Sequence, residues 1–413
     1  MRLFQRLFRL IWGTNVDAAL RPLLGITFAG TVAGSCVWSF IGIWAIKELD
    51  ADPSALGAAY LVSALGGVAA GYIGGHLSDH FGRRPLILTA WLGQTALVLA
   101  FLAVGDNATA GLAVLCFGGI FFQIGSAADT ALVADLVPPE RHEFGYAATR
   151  VAANLGITFG PPLGGLFLLA GSWNALFLGA ATLSALGAVI AARYLPRRGA
   201  YAPEEPPTRG SFGVIVRDRP FLLFLVSAAF AWFVYVAFET VLPISLVESH
   251  GYSDATWGFL VIVNPALVTF FQLRLTERLR WVPGAVKLGV GLPLMGLPFL
   301  LLTVNDSLVV VMLTLILFVV GEMLWVPTSQ TIVAGLAPPD IRGAYMGAFG
   351  AMGAVGFALA PFVGLQVRKT FGDDALWLMQ ATISLVAAAA GAAACRIAAG
   401  RRHDEAEPAS VVA

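Results

Sequence analysis

Four ionisable residues stand out within the long apolar runs of this 413-residue sequence: Asp129, Arg150, Glu239 and Glu322. A charge at the centre of a bilayer costs roughly 2.5–3.5 kcal/mol on insertion scales, so such a residue faces a partner or a water-filled cavity. Asp129 lies about two turns before the end of one run, and Arg150 about two turns into the next. That similar depth predicts an interhelical ion pair, either structural or part of a proton path. Glu239 (FVYVAFETVLPISL) and Glu322 (ILFVVGEMLWVP) have no evident basic partner at their depth in the second half of the sequence. A carboxyl in an apolar cavity suits proton loading from one side and release to the other. Glu322 is therefore the leading candidate proton carrier, with Glu239 a second carrier or a cation contact. The alternative for each is a protonated glutamate bonded to a backbone carbonyl.

Trp38, Gln123, Asn154, Trp232, Tyr235, Asn264, Trp325 and Gln330 lie in the same kind of run. Singly, each also fits packing or interfacial anchoring. Together they describe an aromatic, weakly polar cavity for hydrophobic cations or neutral amphiphiles.

The elements that must hold these residues are membrane helices. Hydrophobic residues make up 58% of the chain and charged residues 12%, with a mean hydropathy of +0.80. Apolar runs near 20 residues long match a hydrocarbon core about 30 Å thick. Twelve spans are predicted, near 20–46, 55–76, 86–105, 109–135, 142–170, 174–195, 221–247, 256–275, 285–303, 307–333, 341–367 and 375–398. The expected organisation is a segment 1–19, a six-helix bundle 20–195, a linker 196–220, a second six-helix bundle 221–398 and a tail 399–413.

Most Lys and Arg fall in segments on one side, leaving Lys47, Arg368 and Lys369 on the other and Arg150 within a span. The positive-inside rule then places both termini in the cytoplasm of a cell (inner) membrane. The basic start, with Arg2, Arg6 and Arg9, has no long apolar stretch or small-residue cleavage site and is expected to lie at the interface.

A repeat relates the two halves. Ala134–Glu140 (ADLVPPE) recurs as Ala334–Asp340 (AGLAPPD), and the same offset carries Gly156, Pro161 and Gly164 onto Gly356, Pro361 and Gly364. Parallel repeats of this kind are the architecture of transporters that alternate access around a midplane site.

Other classes lack support in the sequence. Lys and Arg balance Asp and Glu at 25 each, so no basic field marks a nucleic-acid partner. Cys36, Cys116 and Cys395 give neither a disulfide framework nor metal spacing. His76, His80, His142, His250 and His403 are dispersed, with no nucleophile constellation, so no enzyme is expected. There is no Walker-type glycine loop, so a proton gradient rather than ATP or another cofactor is expected to drive transport.

The turn between the second and third spans reads Gly74-Gly-His-Leu-Ser-Asp-His-Phe-Gly-Arg-Arg-Pro85. Glycines allow close helix approach, Asp79 can cap or neutralise the start of a facing helix, and Arg83 with Arg84 anchors the membrane face. A plain positive-inside hairpin explains only the arginines. Through Gly75, Leu77, Asp79, Gly82, Arg83 and Arg84 the turn resembles the G-x-L-x-D-R-x-G-R-R/K signature of the major facilitator superfamily, with His80 departing from it. A worn copy, Leu275–Arg280 (LTERLR), lies at the matching turn of the second half.

The resemblance implies an all-α integral membrane protein with twelve transmembrane helices in two pseudo-symmetric six-helix bundles. It also implies that Asp79, Arg83 and Asp135 form a gating network that latches the outward-facing state, with Arg342 a second-half partner. Gly156, Gly160, Pro161, Gly164 and Gly165 resemble the G-x-x-x-G-P-x-x-G-G pattern of that superfamily's antiporters. With RVAANLG and GEMLWVP, the chain is similar to the drug:proton antiporter branch, whose members use acidic residues on helices 7 and 10. Helix 4 departs from that branch, because Phe117–Ala128 holds no arginine. The expectation is therefore proton-coupled efflux of small amphipathic molecules by a monomer. Transport of a sugar, a lipid-like molecule or a metabolite, or a non-transporting sensor or scaffold, are the alternatives.

Overall fold

The computed structural model describes residues 16–169, 172–203, 211–252, 256, 260 and 262–406, and among them every regular element is helical. The expected interfacial residues at the start fall outside this set. The helices are α1 (Arg21–Lys47), α2 (Pro53–Phe81), α3 (Arg83–Ala103), α4 in two segments (Ala108–Cys116 and Gly118–Leu136), α5 (His142–Leu169) and α6 (Trp173–Tyr194). They are followed by α7 (Arg219–Thr240, extended by Leu242–Glu248), α8 (Val263–Arg278), α9 (Gly284–Gly296, continued as a 3-10 turn Leu297–Thr303), α10 (Leu308–Leu336), α11 (Arg342–Phe371) and α12 (Asp373–Ala406). Among the described residues, 11 helices are long and apolar enough to cross a membrane. The expected span 256–275 is represented by the 16 residues of α8.

Local chemistry sets the ends. Asp52, Asn107, Ser172 and Asp218 accept the backbone N–H three residues on and cap α2, α4, α6 and α7. Gly82, at φ +88°, turns the chain between α2 and α3, a conformation that L side chains avoid. The break in α4 falls at Phe117, where the Gly119 N–H donates to Ser63 Oγ across to α2 at 2.9 Å.

The chain divides into two compact units. The first comprises the described residues of Met1–Thr208 with Val268–Glu277 and Pro339–Ala354. The second comprises those of Arg209–Leu267, Arg278–Pro338 and Val355–Ala413. In the first, α1 packs on α5 and α6, α2 on α4, and α3 on α4 and α6. In the second, α7 and α9 pack on α12, and α9 packs on α10. The pairings α1 with α6 and α3 with α6 thus reappear as α7 with α12 and α9 with α12, which is the sequence repeat expressed as packing.

Gly156, Gly160 and Gly164 are the groove of the first unit. A Cβ on Gly156 would lie 2.6 Å from Thr31 Cβ, one on Gly160 would strike Ser35 Oγ, and one on Gly164 would lie 2.7 Å from the Cys36 carbonyl. Ser35 Oγ donates to the Gly156 carbonyl at 3.3 Å. Gly165 has nothing within 4 Å of its Cβ position, so it takes no part in this contact.

Candidate functional site

Two arrangements carry the chemistry, one in each unit. In the first, the α2–α3 turn presents Asp79 to the first turn of α11. Gly343 N–H donates to Asp79 Oδ1 at 2.7 Å and Ala344 N–H to Oδ2 at 2.8 Å. These are orphan N–H groups of a helix start, and the positive end of the helix dipole favours the carboxylate there. Arg83 Nη1 bonds Asp79 Oδ1 and also donates to Ser78 Oγ at 2.9 Å, while its Nε donates to Asp135 Oδ2 at 2.8 Å. Asp135 Oδ1 accepts from Arg342 Nη1 at 2.9 Å.

Asp135 is 1% exposed, and Arg83, Ser78 and Arg342 are buried, so this is a dry charge network with two arginines on two carboxylates. Close approach of the backbones makes it possible. A Cβ on Gly75 would collide with the Gly343 carbonyl oxygen, and one on Gly347 with that of Gly71. Arg84 is outside the network, donating instead to the Ala192 carbonyl at the end of α6.

In the second unit Glu322 is 0% exposed, and Oε2 accepts from Asn264 Nδ2 at 2.6 Å. Trp325, one turn along the same helix, meets Trp232 of α7 edge to face at 5.2 Å; Trp232 meets Tyr235 at 5.3 Å, and Tyr235 lies 6.1 Å from Phe318. A carboxyl and an aromatic cluster thus share one region of α7, α8 and α10. Trp232 is backed by the start of the repeated glycine motif on α11, since a Cβ on Gly356 would lie 2.8 Å from Trp232 Cβ.

The model of the Major Facilitator Superfamily matches residues 23–361. The chain belongs to that superfamily. It is 26% identical over 330 residues to the multidrug resistance protein MdtH of Klebsiella pneumoniae (strain 342), covering 76% of this chain and 79% of MdtH. It is 20% identical over 368 residues to a Na(+), Li(+), K(+)/H(+) antiporter of Planococcus maritimus, covering 81% and 86%. Its fold matches the crystal structure of the human organic anion transporter MFSD10 with a TM-score of 0.75 at 20% identity, over 90% of this chain and 98% of that one. This is a multi-pass membrane transporter of the major facilitator superfamily.

The structure of this superfamily member corrects one expected pairing and re-places several residues. Asp129 and Arg150 do not pair: Asp129 Oδ1 is buried without a hydrogen-bond partner. The reason is the packing, for α4 rests on α2 and α3 whereas α5 rests on α1, so equal depth does not bring the two side chains together. Glu239 is exposed near the C-terminal end of Arg219–Thr240 in α7 rather than enclosed as Glu322 is. Asn154 donates to the Arg150 carbonyl of its own helix at 3.0 Å. Trp38 is 53% exposed and touches Tyr60 at 5.4 Å. Gln123 fills the notch left by Gly67, 3.2 Å from its Cβ position, and Gln330 is half-buried with Oε1 unpartnered.

Three features went unread in the sequence. Arg141, at the start of α5, bonds Glu277 at 3.2 Å and Asp17 at 3.4 Å, and covers the Phe144 ring at 4.4 Å. Glu277 belongs to the worn motif copy, the one signal that pointed there. The Tyr201 N–H donates to the Asp135 carbonyl at 2.9 Å, so the segment after α6 docks on the residue at the centre of the network. In the second unit, His250 Nδ1 lies 2.9 Å from Asp306 and Nε2 3.8 Å from Asp373. Arg368 donates to Asp373 at 2.7 Å and to Ser249 at 2.8 Å, beside a cavity of about 490 Å³ also lined by Lys369. The hydrogen bond from His250 holds the Asp306 carboxyl below the usual carboxylate range, and burial, then the charge of Asp306, pushes the Tyr252 hydroxyl up.

Proposed function

We propose that this transporter is a proton-coupled efflux protein for small hydrophobic or amphipathic molecules, working by alternating access with both termini in the cytoplasm. The observation that carries the reading is Glu322: fully buried, hydrogen-bonded to Asn264, and one helical turn from the Trp325–Trp232 pair. A carboxyl there can exchange a proton, and the ring faces beside it suit an organic cation. Protonation and substrate binding at neighbouring positions compete for the same charge, which is the requirement for exchange. The named multidrug function of MdtH and the named proton antiport of the Planococcus protein support this direction.

The network of Asp79, Arg83, Asp135 and Arg342 serves as the latch of one state and parts in the other. The groove of Gly156, Gly160 and Gly164 keeps α1 and α5 moving as one body. Asp129, Arg150 and Glu239 are secondary candidates for the proton path.

The test is transport in proteoliposomes with an imposed pH gradient and an internal pH dye. Organic cations, neutral amphiphiles and the ions Na⁺, Li⁺ and K⁺ are added in turn. Substrate-triggered collapse of the gradient is the expected outcome for the amphiphilic set. Uphill uptake together with protons reverses the direction, and a response confined to the inorganic ions replaces the cargo class.

A further inference from the structure

Asn264 enters the sequence reading as a cavity residue, yet the structure commits its amide to the buried carboxyl of Glu322 at 2.6 Å. Both side chains are shielded, Asn264 at 7% and Glu322 at 0% exposure. The chemistry of this contact depends on the proton. A carboxylate oxygen only accepts, and the amide N–H donates to it, so the pair is matched when Glu322 is charged. Protonation removes the charge that this contact is made to, and a proton on Oε2 leaves only a weaker, neutral acceptor toward the amide N–H. The contact then loosens, or the amide turns to present Oδ1 to the new O–H donor.

The position of Asn264 gives that change a consequence. It is the second residue of α8 and is followed by Pro265, which has no N–H, while Ala266 N–H already bonds the Ile262 carbonyl at 3.1 Å. The first turn of α8 is thus tied to α10 through this side chain.

We propose that Asn264 is a positioning residue for the proton carrier, holding the Glu322 carboxylate in its charged state and loosening the start of α8 from α10 when the proton arrives. The proposal rests on the reading of Glu322 as the carrier. Glu322 has further neighbours, so the contact with Asn264 is one of its supports. Elements packed on α10 include α7, α9 with its 3-10 turn and, through Asn264, α8. Their ionisable residues are Arg219, Tyr235, Glu239 and Glu248 on α7, Arg274, Glu277 and Arg278 on α8, and the buried Lys287 on α9. Gly291 meets Gly321 and Gly284 meets Thr328, so Lys287 lies on the face of α9 turned to α10. Lys287→Met therefore measures what a general field contributes, separately from the amide contact.

The experiment is a pH titration of the purified protein by infrared difference spectroscopy, which needs no substrate. The protonated-carboxyl band that disappears in Glu322→Gln reports the carrier. In Asn264→Leu, which keeps the volume but removes the donor, the midpoint of that band moves up by about one pH unit, the scale of one hydrogen bond to a charged group. Asn264→Ser, which restores a donor and serves where the leucine variant does not fold, returns it part of the way. An unmoved midpoint in both variants overturns the proposal, and a weakened KM for tetraphenylphosphonium alongside it makes Asn264 a substrate contact instead. If no titrating band is lost in Glu322→Gln, the carrier reading itself fails, whatever Asn264 does.

Discussion

Arg342 Nη1 and Asp135 Oδ1 stand 2.9 Å apart in a buried contact that joins the start of α11 to the end of α4. The same carboxylate takes Arg83 on its other oxygen at 2.8 Å, so one aspartate bridges two largely buried arginines, of which Arg83 is also held by Asp79. Loss of Asp135 therefore breaks two ion pairs at once and leaves a buried positive charge uncompensated.

Asp135→Asn should therefore lower stability by about 3–5 kcal/mol, the scale of breaking a buried ion pair by removing one partner. Thermal unfolding in detergent measures it. Replacing Asp135 by Leu together with Arg342 by Met should recover part of the loss, because the apolar pair buries no orphan charge, while transport stays impaired. A single variant with unchanged stability would show that the arginines find other partners.

Gly75→Val places side-chain atoms where the Gly343 carbonyl lies and forces α2 and α11 apart. Overpacking of this kind costs roughly 1–3 kcal/mol and leaves each helix intact. The expected result is folded protein on size-exclusion chromatography with transport lowered more than tenfold. Wild-type transport rates would mean that the close approach has no part in the cycle.

Gly160 and Gly165 give a contrast within one motif. Gly160→Ala strikes Ser35 Oγ on α1, whereas Gly165→Ala meets open space. The first should cost roughly 1–3 kcal/mol and the second should be neutral in thermal unfolding. Loss of proton coupling in Gly165→Ala at unchanged stability would assign the motif a role beyond packing.

The Asp306–His250 contact predicts an acid-sensitive join between residues near 250 and 306. The Asp306 carboxyl is held down chiefly by the hydrogen bond from His250. A group depressed in the folded state contributes stability above its unfolded value, near 4, and loses it as pH falls through the lower folded value. Amide exchange of residues 249–252, corrected for its intrinsic pH dependence, should rise below about pH 4, and Asp306→Asn should abolish that step. A step that survives the substitution would have another source.

By itself the sequence determined the helical membrane class, the order of the helices and the repeat, because run length and sidedness are one-dimensional properties. The grouping of Asp79, Arg83, Asp135 and Arg342 was implied by the resemblance of the α2–α3 turn to a known signature, and the structure supplied its contacts, at a turn set by Gly82 and at helix ends where the first N–H groups of α11 meet Asp79. The tertiary structure alone decided how each helix is rotated. A membrane helix is apolar toward lipid and toward its neighbours alike, so no amphipathic stripe announces which face packs inward. Equal depth made Asp129 and Arg150 look like partners, but α4 and α5 rest on different helices, and that separates them. The same rotation joined Asn264 to Glu322 and Arg141 to Glu277, pairs far apart in the chain that no spacing rule connects.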